Sequence, residues 1–192
     1  MKTVKFERLM IVIGLIMIAS ISYNFGLAVL FMNGTTMGPN AYLYTIALSM
    51  PIGFILLPYL ITKKKSLLSE SVETSFNIKS MILLAVSLFL ADLLFFKTGE
   101  SFNQLIIATS EEFLFRYLVY NILRHSMTKW QSIVINSLLF ALVLHLNYDV
   151  VDNLLLRFPL ALLFSYLSQR FGLQYAIASH WLYNLTVIKF GF

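Results

Sequence analysis

The chain contains no cysteine. That excludes a disulfide scaffold, a thiolate metal site and a cysteine nucleophile, and it leaves the redox compartment open. Charge is scarce as well: 14 basic and 9 acidic residues make up 12% of 192 residues, against 59% hydrophobic residues and a mean hydropathy of +0.80. Soluble domains carry about 25% charged and about 45–50% apolar residues, so an ordinary soluble fold is excluded. The net charge is +5. The basic residues stand at the ends of apolar runs, which reads as membrane topology and not as a nucleic-acid surface. Internal repeats and low-complexity tracts are also missing.

What the chain does have is a succession of long apolar runs. A helix crossing about 30 Å of hydrocarbon needs about 20 mostly apolar residues. Seven stretches meet this roughly: Leu9–Phe31, Ala41–Ile61, Ile78–Phe96, Phe102–Leu123, Trp130–Leu146, Leu154–Gln169 and Leu173–Phe190. Seven spans of that length use about 140 residues and leave only short connections. The expected fold is all-α, a polytopic transmembrane bundle of seven membrane-embedded helices. Residues 1–192 then form a single integral membrane domain, with three N-terminal helices in 1–100 and the rest in 101–192.

Basic clusters set the orientation. Lys2, Lys5 and Arg8 form one, Lys63 to Lys65 a second, Arg124, His125 and Lys129 a third, and Arg170 a fourth. The connections 33–40, 97–101 and the one holding Asp149 and Asp152 are neutral or acidic. All four basic clusters fall on one side if the N-terminus is cytoplasmic. The first apolar run exceeds a typical signal-peptide core and lacks a clear A-x-A site, so a retained anchor is expected. Pro51, Pro58 and Pro159 interrupt the second and sixth runs, and such breaks need neighbouring helices to satisfy the freed carbonyls.

Polar residues inside these runs carry the functional signal. The fourth run holds Glu111, Glu112 and Arg116 near its middle. Each charge at a helix centre opposes insertion by about 2.5–3.5 kcal/mol, so these side chains must face protein or a water-filled space. Glu112 and Arg116 are four apart and can pair on one face. Glu111 is turned by about 100° and has no partner on its own helix. A packing ion pair thus explains two charges and leaves the third. His145 lies late in the fifth run, and His180 and Asn184 share one face of the seventh. A single buried histidine is ordinarily a hydrogen-bonded core residue. Two histidines, an asparagine in register and a diglutamate are instead the groups from which acid–base hydrolysis is built. These positions predict a polar cavity between the fourth, fifth and seventh helices. Taken at face value, His145 sits about 9 Å outward of its helix centre, which a tilted fifth helix would correct.

The set Glu111-Glu112-x-x-x-Arg116, His145 and His180-x-x-x-Asn184 resembles the CPBP family of intramembrane proteases. These are the CAAX proteases and bacteriocin-processing enzymes, related to type II CAAX prenyl endopeptidases and also called the Abi group. The resemblance runs from about Ser101 to the C-terminus, making 101–192 the catalytic core helices. One departure stands out: the family's middle motif is F-x-x-x-H, whereas Phe140 lies five before His145 and Ala141 takes its place.

The resemblance implies an intramembrane endopeptidase in a bacterial plasma membrane. It implies Glu111 as the base that activates water, with His145 orienting that water. His180 and Asn184 would donate to the oxyanion, and Glu112 and Arg116 would hold Glu111 in place. The partners implied are a peptide or lipidated peptide and membrane lipid: prenylated C-terminal, bacteriocin-leader or signalling peptides, with no nucleic acid. Metal-independent glutamate catalysis is favoured, because the zincin pattern H-E-x-x-H is absent. Zinc or another divalent metal is the alternative, and would draw on Glu111, His145 and His180. Two other functions compete. One is a non-catalytic membrane binder, such as a bacteriocin self-immunity protein or a scaffold retaining the protease fold. The other is a transporter or channel component, which the lack of an inverted repeat disfavours.

Overall fold

The computed structural model describes residues 2–33, 38, 40–68, 74–146 and 148–191. The side chain of Lys2 and most of the 33–40 connection, both used above to read topology, lie outside the described residues. Seven helical segments follow one another, and no strand occurs among the described residues. They are α1 (Lys2–Asn33), α2 (Ala41–Lys64), α3 (Ile78–Phe96), α4 (101–124), α5 (Lys129–Leu144), α6 (Val150–Phe171) and α7 (Leu173–Phe190). Each matches one expected run, although α1 starts well before Leu9.

Local chemistry sets several boundaries. Asn77 starts α3 by accepting from the Ser80 N–H, and Thr128 starts α5 with a reciprocal capping box to Gln131. Asp149 caps α6 by accepting from the N–H groups of Val151 and Asp152. A single residue, Gly172 at φ 113°, separates α6 from α7. That backbone angle is open to glycine and strained for other residues.

The helices divide by solvent. α1, α2, α3 and α6 are long and apolar enough to cross a bilayer, and α5 is a shorter apolar helix. Their outer faces expose Met17, Ile21 and Phe25 on α1, Leu83, Val86 and Leu90 on α3, and Leu155 and Leu163 on α6. In water such faces would be unstable; in lipid they meet their own kind. This is an integral membrane protein. α4 is the opposite case: it packs against α1, α2, α5, α6 and α7, and from Glu112 to Leu123 only Phe113 and Tyr117 are not fully buried. Its charges therefore enter the membrane inside protein. One apolar cluster joins α1, α2, α4 and α5 around Leu15, Phe54, Leu118 and Phe140. A second joins α3, α4 and α7 around Leu88, Ala108 and Trp181.

α1 and α2 approach closely through small residues. A Cβ on Gly53 would stand 2.3 Å from the Ser22 Cβ, and one on Gly26 would stand 2.8 Å from the Ser49 Cβ. The Ser22 hydroxyl closes the seam by donating to the Ser49 carbonyl at 3.0 Å. At one end of the bundle, Lys5 of α1 and Arg124 to Thr128 with Gln131 of the α4–α5 turn line one open cavity. The Leu173 N–H donates to the Ser75 carbonyl at 2.9 Å, bringing the starts of α3 and α7 together.

Several helices contain a π-helical turn, in which hydrogen bonding runs i to i+5. Those at Phe113–Val119 in α4, Phe140–Leu144 in α5 and Asn153–Arg157 in α6 all adjoin the polar residues. The carbonyls they loosen are partnered from outside: Asn136 donates to the Phe115 carbonyl at 3.0 Å, and Thr74 to that of Arg116 at 3.4 Å. In α6 the π turn precedes Pro159, which sits in the first turn of the α-helical part where its missing N–H is harmless.

Candidate active site

α4 ends its regular α-helical stretch at Glu112 and passes into a π turn that carries Arg116. The Arg116 Nε donates to Glu112 Oε2 at 2.9 Å, the i,i+4 pair expected from spacing. The guanidinium also lies 5.0 Å from the centre of the Phe140 ring. The other carboxylate oxygen, Glu112 Oε1, is 2.9 Å from His180 Nδ1 on α7. A carboxylate only accepts, so Nδ1 carries the proton and Nε2 is the nitrogen left for chemistry. Nε2 faces Glu111 Oε2 at 3.8 Å. That is too long for a direct hydrogen bond and close enough for one water to bond both groups. The Glu111 side chain keeps 12% of its surface exposed and that of Glu112 none, so only the first glutamate opens onto free space.

Aromatic rings fix the imidazole. Phe164 of α6 stacks on His180 at 5.1 Å and 14°, and Phe140 meets it edge-on at 5.8 Å. Phe140 also contacts the His145 ring at 4.9 Å, so one side chain separates the two histidines. The π turn accounts for the departure in the middle motif. With i to i+5 periodicity, Phe140 and His145 return to one face, as residues four apart do on an α-helix. Nδ1 of His145 donates to the Phe140 carbonyl at 2.9 Å, which again leaves Nε2 outward.

Glu111, Glu112, Arg116 and His180 are thus brought together, with His145 one ring beyond. Asn184 is placed differently from the expectation of an amide beside His180's task. Its Nδ2 donates to Gln104 Oε1 at 2.9 Å, one of two N–H groups it carries. Among the described residues no three histidine, aspartate or glutamate side chains are grouped as a metal site: Glu111 and His180 face each other, and the Phe140 ring stands between His180 and His145.

Several contributors escaped the sequence reading. Gln104 is seven before Glu111, two turns along the same face, and that spacing was the available signal. Tyr23 of α1 and Tyr42 of α2 hydrogen-bond each other and lie in the field of Glu111. No spacing rule connects them to it. Asp92 is buried and accepts from the Thr98 N–H, the Thr98 hydroxyl and the Ser101 hydroxyl, so it ties α3 to α4 outside the site. Asp149 caps α6, while Arg157 donates to Asn153 and covers the Tyr148 ring.

Residues 85–186, a range that holds Gln104, Glu111, Glu112, Arg116, His145, His180 and Asn184, match the family described as Type II CAAX prenyl endopeptidase Rce1-like. The chain belongs to the Rce1-like family. It matches no curated protein and no solved structure. An Rce1-like assignment makes this chain a member of a family of CAAX-type intramembrane proteases, which act on peptides at a membrane. The matched range begins within α3, so α1 and α2, with Tyr23 and Tyr42, lie outside the Rce1-like segment.

Proposed function

We propose that the protein is an intramembrane endopeptidase that hydrolyses membrane-associated peptides with a water activated by Glu111. The observation that carries this is the His180 imidazole held by Glu112 at 2.9 Å while its other nitrogen faces Glu111 at 3.8 Å. Glu111 takes a proton from the water, and the oxygen attacks the scissile carbonyl carbon. The His145 Nε2 orients that water. The carbonyl oxygen becomes an oxyanion, which accepts from His180 with a proton on Nε2 as well as the Nδ1–H that stays on Glu112, and from the Asn184 N–H not used by Gln104. Collapse breaks the C–N bond as Glu111 returns its proton to the leaving amine. Glu112 and Arg116 fix His180 and the helix that carries Glu111. The reaction needs no metal in this scheme. The substrates proposed are prenylated C-terminal, bacteriocin-leader or signalling peptides, and the setting a bacterial plasma membrane with the basic end of the bundle in the cytoplasm.

A displaced Phe140 would favour the second reading, a non-catalytic binder; the π turn, which returns Phe140 and His145 to one face, supports the catalytic one.

The test is cleavage of prenylated and leader-type peptides by purified protein in liposomes. Glu111→Gln and His180→Ala are expected to lower kcat by about 10²–10⁴-fold; Glu111→Gln should leave thermal melting unchanged, whereas His180→Ala, which strips one partner from buried Glu112, should also lower the melting temperature. A strong chelator is expected to leave wild-type cleavage unchanged; loss on chelation, restored by zinc, would replace glutamate chemistry by metal chemistry. Full activity in both variants would remove the catalytic reading.

A further inference from the structure

Arg157 is a cation within a membrane bundle with no anionic partner among the described residues. The ion pairs there are confined to Glu111, Glu112, Arg116 and His180. Of the two carboxylates that precede it in sequence, Asp152 makes no ion pair with it and Asp149 accepts from the N–H groups of Val151 and Asp152. Two contacts nevertheless hold the guanidinium still. It lies 3.8 Å from the centre of the Tyr148 ring, and its Nη1 donates to Asn153 Oδ1 at 3.1 Å. Both contacts lead to His145: the Tyr148 ring is 5.8 Å from the imidazole, and Asn153 Nδ2 donates to the His145 carbonyl at 2.9 Å. His180, Phe140, His145, Tyr148 and Arg157 therefore form a continuous row, with steps between 3.8 and 5.8 Å. Glu111 stands at one end and a half-buried, half-open guanidinium at the other.

We propose that Arg157 is a specificity residue: it clamps the free C-terminal carboxylate of the peptide while the bond to be cut lies at Glu111. The proposal rests on the endopeptidase reading above. A guanidinium presents five N–H donors in a planar fork that suits a carboxylate, and stacking on Tyr148 with one donor on Asn153 leaves the rest pre-oriented. The peptide would run alongside this row, past the partly buried Glu111, His145 and Arg157, and not between the buried Phe140 and His180.

The experiment uses a fluorescent farnesylated peptide without Asp or Glu, made with a free C-terminal carboxylate or as the C-terminal amide. Binding is measured to the full chain in phosphatidylcholine nanodiscs in a Glu111→Gln background, and cleavage is measured without that substitution. The acid is expected to bind about tenfold or more tightly than the amide. Arg157→Gln should erase that preference by weakening only the acid, with amide binding unchanged as the control for folding, and Arg157→Lys should keep part of it. In cleavage, Arg157→Gln should raise KM for the acid and leave kcat in place. Equal binding of acid and amide by the Arg157 protein, or a preference that survives Arg157→Gln, overturns the clamp. If Arg157→Gln lowers only the affinity for phosphatidylglycerol, the guanidinium belongs to a lipid phosphate and the proposal also fails. A binding preference that follows Arg157 without any cleavage would uphold the clamp and count against the endopeptidase reading, so the two failures are distinct.

Discussion

At the residue scale, Glu112 is the side chain on which the polar cluster depends. Both of its oxygens are engaged, one by Arg116 and one by His180, and none of its side-chain surface is exposed. Removing one partner of a buried pair leaves an uncompensated charge, at about 3–5 kcal/mol. Arg116→Ala is therefore expected to lower the melting temperature in detergent sharply, and more than Arg116→Lys, which keeps a cation at the site. An unchanged melting temperature in Arg116→Ala would mean that Glu112 is not held as an anion by this guanidinium. The i,i+4 pair was legible in the sequence because both partners share a helix and its spacing is fixed. The second bond of Glu112 was not, because His180 lies 68 positions away and only packing decides which carboxylate it meets. The same gap hid Asn184's bond to Gln104, 80 positions distant.

At the element scale, the seven helical segments were readable because lipid imposes a length and forbids unpaired backbone. The turns within them were not. A π turn is one residue inserted into an α-helix, and insertion leaves no mark in composition. In α5 its only trace was Phe140 standing five residues before His145. That trace supplies a test. Deleting Ala141 should convert the π turn to an α turn, with phenylalanine and histidine four apart and still on one face. Cleavage is expected to persist within about tenfold of wild type, since one tenfold step corresponds to only about 1.4 kcal/mol. Inserting one alanine between Leu142 and Val143 should instead turn His145 away by about 100°, and cleavage should fall by about 10²–10⁴-fold. If the deletion were as damaging as the insertion, the π turn would have a purpose beyond restoring the face. Helix content by circular dichroism separates lost geometry from lost structure.

At the scale of the whole molecule, the basic clusters collect at one end of an alternating bundle. Lys5 shares a cavity with Arg124 and His125, Lys63 to Lys65 close α2, and Arg170 lies in the last turn of α6 beside the paired starts of α3 and α7. Translocation disfavours short connections rich in lysine and arginine, so this end should stay in the cytoplasm. The lack of cysteine makes the orientation directly measurable, because any thiol introduced is the only one in the chain. His125→Cys places a thiol on the exposed α4–α5 turn at the basic end. Gly38→Cys places one at an exposed position before α2, with nothing within 4 Å of its new Cβ. A membrane-impermeant maleimide applied to intact cells should label the Gly38 variant at once and the His125 variant only after permeabilisation. The reverse pattern would invert the bundle. The row from Glu111 to Arg157 ends at Tyr148, Arg157 and the α5–α6 connection, opposite the basic turns, so orientation also decides which compartment supplies the carboxylate end of the peptide. With the N-terminus inside, that connection faces outward, and a substrate clamped at Arg157 would present its C-terminus from the external side.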